Sequence, residues 1–156
     1  MKLNSMHSLI YNPNWVGRLL QLFISGAVNT STRGLKVELI YLALPFLYEE
    51  PIREKLAKST KRSTFQTVFQ DANMKNCLLS MDSKVVEFES VTNEAFLMIG
   101  KYVSITDDGY IELRKILNYT NAQHEIKSYY KSAYNLGVIL SKEDHREIFY
   151  KIGISE

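Results

Sequence analysis

A chain of 156 residues, 46% of them hydrophobic and 12% aromatic, can bury roughly 70% of its unfolded surface in one core, which excludes a disordered chain and predicts one domain over 1–156. Its single cysteine, Cys77, excludes an internal disulfide framework and any multi-cysteine metal site, and fits a reduced, cytoplasmic setting. A formal net charge of +2 is too small to announce a nucleic-acid binder by itself.

The amino terminus, MKLNSMHSLIYNPNW, has neither a long apolar core nor a small-residue cleavage site, so no signal peptide is expected. No acidic residue occurs before Glu38, whereas Lys2, Arg18, Arg33 and Lys36 do. Asn12 before Pro13 predicts a helix start, because the Asn side chain caps free amides and proline is preset for the first helical position. Trp15, Leu19, Leu22 and Phe23 then recur at helical spacing, with Gly26 near the end. The following stretch, GLKVELIYLALPFLYEE, is apolar nearly all round and predicts a buried central helix, kinked or loosened at Pro45. It is too short to span a bilayer and is interrupted by Lys36 and Glu38, so no membrane partner is expected.

Pro51 opens a shorter helix, PIREKLAKS, and Ser63 is the expected cap of another bearing Phe65, Val68 and Phe69. A basic cluster of Arg53, Lys55, Lys58, Lys61 and Arg62 runs through this region. It reads either as a solvated helix face and loop or as a patch that contacts phosphates. Residues 12–72 thus form an N-terminal helical part.

From Met74, the apolar residues Leu78, Met81, Val85 and Phe88 follow at steps of four, three, four and three, one stripe along one helix face. ESVTN predicts a break, with Ser90 or Thr92 as cap, before a second short helix, NEAFLMIGKYV, ending near Gly100. The stretch SITDDGYIEL then reads as a hairpin. A turn of Asp108 and Gly109 alone would mix apolar and polar residues on each face. A loop of Asp107, Asp108 and left-handed Gly109 instead sets Ile105 opposite Ile111 and Val103 opposite Leu113 on one face. Thr106, Tyr110, Ser104 and Glu112 share the wet face. An isolated ribbon is marginal in water, so its apolar face needs support, for which the preceding helix is the nearest element. Helix, turn, helix and ribbon are the order of a winged helix-turn-helix, over 74–114 with the wing at 102–114. Two C-terminal helices over 122–154 complete the chain: NAQHEIKSYYKSAYNLGVIL, then EDHREIFYKIGI. The expected fold class is mainly α, an α+β chain with one β-hairpin, whose helical domain contains the winged helix-turn-helix.

A DNA-reading second helix presents basic and polar groups to bases and phosphates. Here that helix offers Thr92, Asn93, Glu94 and one base, Lys101, and the wing tip carries Asp107 and Asp108 beside Tyr110. Carboxylates at a phosphate backbone are repelled, so these residues are assigned to protein docking, with an acidic tip suited to a basic partner. No catalytic, cofactor or metal residue is predicted. His7, His124 and His145 do not fall at metal spacings, and His145 reads as a surface histidine. Glu49 with Glu50 and Glu143 with Asp144 read as helix-end carboxylates, and STKRST lacks the glycines of a phosphate-cradling loop.

Three stretches in order, YNPNWVGRLLQLFISGA, LKVELIYLALPFLYEEPIREKL and SAYNLGVILSKEDHREIFYKIGI, resemble the middle component of three-component ABC systems, the bacterial anti-phage or anti-plasmid modules of the Lamassu type. The resemblance rests on Asn12-Pro13, on Leu44-Pro45 followed by Arg53, on Leu136-Gly137, and on Ile152-Gly153, from about Tyr11 to the end. Val138-Ile139 stands where the family often has Arg-Trp, and Leu56-Ala57 where it often has Leu-Pro. The resemblance implies a winged-helix, non-enzymatic subunit joining an SMC-like ABC ATPase to a nuclease effector, helping to restrain or relay its activation by foreign DNA, with no inherited active residue. The alternative from another class is a DNA-binding winged-helix regulator using the basic cluster from Arg53 to Arg62. A third possibility is that the chain contacts DNA only inside the complex.

Overall fold

A computed structural model describes residues 8–154; Lys2 and His7 lie outside the described residues. The chain is mainly helical with a small antiparallel sheet. In order, α1 is Pro13–Thr30, β1 Leu35–Lys36, a 3-10 helix Val37–Leu42, α2 Ala43–Leu47, α3 Glu50–Ala57, α4 Phe65–Phe69, α5 Ala72–Cys77 and α6 Met81–Met98. A 3-10 turn at Gly100–Tyr102 leads into β2 (Val103–Ile105), β3 (Tyr110–Leu113), α7 (His124–Leu140) and α8 (His145–Ile152).

The Asn12 side chain caps α1, accepting from the Asn14 amide at 2.9 Å, with Pro13 in the first turn as expected. This helix, and not the segment after Gly34, is the central one: from Leu19 to Ala27 every residue is buried. It packs against α6 on one side and α7 on another. At the α1–α7 crossing Gly26 and Gly137 lie backbone to backbone, and a Cβ on either would fall 2.0 Å from the Tyr134 carbonyl oxygen or 1.9 Å from that of Phe23. Small residues at the crossing let the two apolar helices meet this closely.

The stretch expected as one long central helix is divided. Gly34, with φ of 84°, turns the chain so that Leu35 and Lys36 pair with Ile111 and Tyr110 of β3. The 3-10 helix and then α2 follow. Pro45 falls within the first turn of α2, where a missing N–H leaves no intrahelical bond unmade, so it kinks nothing. In α4 the cap is Thr64, not Ser63: Thr64 and Thr67 exchange side-chain-to-amide bonds at 3.2 and 2.9 Å, while Ser63 closes the preceding turn by accepting from the Thr60 amide.

The stripe from Met74 to Phe88 is split at Leu78–Ser80, between α5 and α6. The break expected at Ser90–Asn93 is absent, and α6 runs unbroken from Met81 to Met98. It contains neither glycine nor proline, and Phe88, Val91 and Ala95 are buried along one face, with Ala95 and Ile99 over Gly17 of α1. Burial outweighs the weak local preference of Ser90 and Thr92 for a cap.

The hairpin has the expected register: Val103↔Leu113, Ser104↔Glu112 and Ile105↔Ile111. Gly109 takes φ of 86°, and Thr106 and Tyr110 close the loop through an amide-to-carbonyl bond of 2.8 Å. It is not an isolated ribbon, since β1 joins its other edge in the order β1-β3-β2. Ile111 is fully buried, and β3 rests on α1 rather than chiefly on the preceding helix. Asp144 caps α8, and Gly153, with φ of 76°, ends it.

Candidate functional site

The outer face of α6 is exposed along the length of the helix. Its exposed residues are Asp82, Ser83, Val86, Glu87, Glu89, Ser90, Asn93, Glu94, Leu97 and Met98. The one base on this helix, Lys84, is paired with Glu49 of the α2–α3 turn. Glu87 accepts from the Tyr11 hydroxyl at 2.8 Å and Asn93 from the Tyr41 hydroxyl at 2.7 Å. Val86 and Leu97 are 71% and 79% exposed. At the amino end, Leu79 and Asp82 border a groove of about 720 Å³ floored by Phe65, Phe69 and Ile152, with Tyr150 standing out on its far side.

Among the residues expected to dock a partner, Asn93 and Glu94 lie on this outer face. Thr92 does not. It is 1% exposed, and its hydroxyl is buried without a hydrogen-bond partner among the described residues, because the unbroken helix turns it inward. Lys101 is exposed just beyond α6, its ammonium 4.9 Å from the Tyr102 ring centre. Asp107 and Asp108 are exposed at the hairpin tip.

That tip carries its own counter-charges. The Lys36 ammonium donates to the Asp108 backbone carbonyl at 2.6 Å, and Arg33 and Lys36 lie 5.9 and 5.2 Å from the centre of the Tyr110 ring. The Asp108 carboxyl is held below the usual carboxylate range, first by the Thr106 hydroxyl and further by nearby Arg33 and Lys36. Sequence reasoning missed this, because the partners come from β1 and the turn before it. Gly34 between Arg33 and Leu35 was the available signal.

The basic cluster is divided. Arg53 turns inward, donating to the Leu47 carbonyl at 2.9 Å with its guanidinium 4.3 Å from the Tyr129 ring centre, and Lys55 pairs with Asp71 at 2.9 Å. Lys58, Lys61 and Arg62 are exposed in and after the end of α3. Lys142 joins this corner, donating to the Lys61 and Ser63 carbonyls.

Among the described residues no group of three or more His, Cys, Asp or Glu side chains could hold a metal ion. The Cys77 thiol is pushed up by burial first and by Glu49 next, the opposite of an activated nucleophile. Burial likewise raises the Tyr48 phenol, which donates to the Ile10 carbonyl at 2.9 Å. The His145 side chain is half-buried, 18% exposed, and lies 3.7 Å from the Asp144 carboxylate. No helix among the described residues is long and apolar enough to cross a membrane.

No curated protein and no solved structure matches the chain. A family profile does, over residues 1–156: that of the ABC-three component (ABC-3C) system Middle Component 3. The match spans the whole sequence, as the order of the Asn12-Pro13, Leu44-Pro45, Leu136-Gly137 and Ile152-Gly153 pairs anticipates. The chain therefore belongs to the family of ABC-3C system Middle Component 3 proteins.

Proposed function

We propose that this middle component is a non-enzymatic, cytoplasmic adaptor of a Lamassu-type bacterial defence complex. It links an SMC-like ABC ATPase to a nuclease effector and restrains or relays that effector's activation by foreign DNA. The observation that carries the reading is the outer face of α6, which combines exposed Val86 and Leu97 with Asp82, Glu87, Glu89 and Glu94. Such a face repels a phosphate backbone and offers a protein both apolar area and charge. In this reading the hairpin of β2 and β3, within 102–114, works as a wing beside the unbroken α6, without the turn expected at Ser90–Asn93. Asn93, Glu94, Lys101, Asp107, Asp108 and Tyr110 are then partner contacts. The test is reconstitution with the other components of the system: the chain co-purifies with both, and its omission separates ATPase from effector. An ATPase–effector complex of undiminished yield without this chain refutes the linking role.

Exposed Lys58, Lys61 and Arg62 favour a second reading, a DNA-contacting regulator. It predicts duplex binding by the lone chain that falls steeply with salt, with the slope reduced by about one for each of these residues neutralised. Binding unchanged in the triple variant excludes it.

A further inference from the structure

On α6 successive residues advance by about 100°, so Val86, Ser90, Asn93 and Leu97 fall within about 40° of one line along its outer face. Apolar side chains sit at both ends of this seam, and the small Ser90 lies between them. Glu87 and Glu94, seven residues apart, flank the seam on one side; Asp82 and Glu89, also seven apart, flank it on the other. Between Val86 and Leu97 the seam runs for about 16 Å, roughly three helical turns, and Asp82, one turn before it, borders the 720 Å³ groove together with Leu79. Each rim carries two carboxylates about 10 Å apart, and Lys84, the one base on the helix, is held by Glu49.

We propose that this seam receives one amphipathic helix of another component, with apolar residues along the contact line and Lys or Arg on both flanks. The proposal rests on the adaptor reading and names the chemistry of its partner. Charge complementarity selects the occupant. Nucleic acid is repelled by both rims. A second copy applied through the same surface sets carboxylates against carboxylates. A basic-flanked helix places its cations over both rims while its apolar side chains cover Val86 and Leu97, and the small Ser90 allows close approach at the centre. The neighbouring groove is wide enough for one large apolar side chain at the helix end.

The experiment uses the full chain and the separately purified components of its own system. Binding is measured by calorimetry at low and physiological salt for the wild type, Glu89→Lys/Glu94→Lys, Leu97→Asp, and a control on α3, Glu54→Lys. Circular dichroism and melting temperature verify that each variant is folded; all four positions are exposed. Both seam variants bind one component at least tenfold more weakly, the charge reversal more so at low salt, and the control binds as wild type. Changing the flanking bases of the partner helix to Glu restores binding to Glu89→Lys/Glu94→Lys. Seam variants that bind within twofold of wild type overturn the seam and leave the adaptor reading standing. A folded wild-type chain that binds no component overturns both. Self-association of the lone chain that Leu97→Asp abolishes also overturns the proposal, by assigning the seam to a second copy.

Discussion

Replacing Gly137 by alanine is expected to destabilise the fold although alanine is the better helix former. The added Cβ would lie 1.9 Å from the Phe23 carbonyl oxygen, 2.9 Å from its carbon and 3.0 Å from the Ala27 nitrogen. All three are backbone atoms of α1, so no side chain can swing aside. An ordinary carbon–oxygen contact is about 3.3 Å, so α1 and α7 must part locally by about 1.4 Å. A gap of even 0.5–1 Å forfeits roughly a quarter to a half of each dispersion contact it opens. Overpacking of this kind costs about 3–4 kcal/mol at the upper end, and the gain from replacing a helical glycine returns about 1 kcal/mol, a net loss of about 2–3 kcal/mol. Gly26→Ala meets the Tyr134 carbonyl oxygen at 2.0 Å and carries a similar loss. One separation of the helices relieves both clashes, so the double variant costs less than the sum of the two. Gly100, with nothing within 4 Å of its added Cβ, is the control and changes little. Urea unfolding with a constant slope measures all four variants. A Gly137→Ala protein as stable as wild type, or strict additivity with Gly26→Ala, refutes the backbone-contact reasoning.

Asn135 of α7 donates to the Leu56 and Ser59 carbonyls at 2.8 and 3.1 Å, closing the end of α3; Asn135→Ala strands both and costs about 1–3 kcal/mol in urea unfolding. Thr92→Val removes a buried hydroxyl that has no partner among the described residues and raises stability by about 1 kcal/mol, read as a higher urea midpoint. Ile111→Ala opens a cavity under β3 and costs about 2–5 kcal/mol, whereas Ile105→Ala across the same ladder, at a side chain 51% exposed, costs well under half of that by the same measurement. Asp71, Asp108 and Asp144 all have depressed carboxyl values, through Lys55, Thr106 and Arg146 respectively as the first cause. Their stabilisation is therefore complete above the unfolded value of about 3.9 and disappears as pH falls through the lower folded values; the urea midpoint, followed from pH 5 downward, declines below pH 4 and less so in Asp144→Asn.

Local chemistry made some elements legible from sequence, and distant contacts hid others. The α1 start needed only Asn12 and Pro13, and the hairpin register needed only the alternation of Val103, Ile105, Ile111 and Leu113 around a left-handed Gly109. These signals act within a few residues. The strand at Leu35–Lys36 is marked locally by Gly34 alone, because its partner β3 lies far along the chain and its apolar neighbours have a helical look. The continuity of α6 was hidden for the converse reason: Ser90 and Thr92 resemble caps locally, but Phe88 is held by the Tyr11 and Tyr48 rings and Ala95 lies over Gly17 of α1. An error of one turn there inverts the reading of Thr92, from a docking contact to a core residue. Arg53 and Lys55 looked like members of a basic patch until Tyr129, Leu47 and Asp71 claimed them.

The distribution of polar groups separates what the fold uses from what it leaves for others. On α1, Gln21 donates to the Lys115 carbonyl at 3.1 Å and Ser25 accepts from the Leu117 amide at 2.9 Å, pinning the chain after the hairpin. On α7, Asn135 holds the end of α3 through the Leu56 and Ser59 carbonyls. These buried polar side chains satisfy backbone groups that would otherwise be stranded. Glu94 does nothing of the kind: a carboxylate toward the carboxyl end of α6 opposes the helix dipole. Nor do Glu89 and Leu97 gain the fold anything by facing solvent. Stability favours neutral or mixed charge at such positions, and under the proposed seam these carboxylates and the apolar side chains between them serve a partner helix instead, with Glu87 also bonded within the fold, to Tyr11.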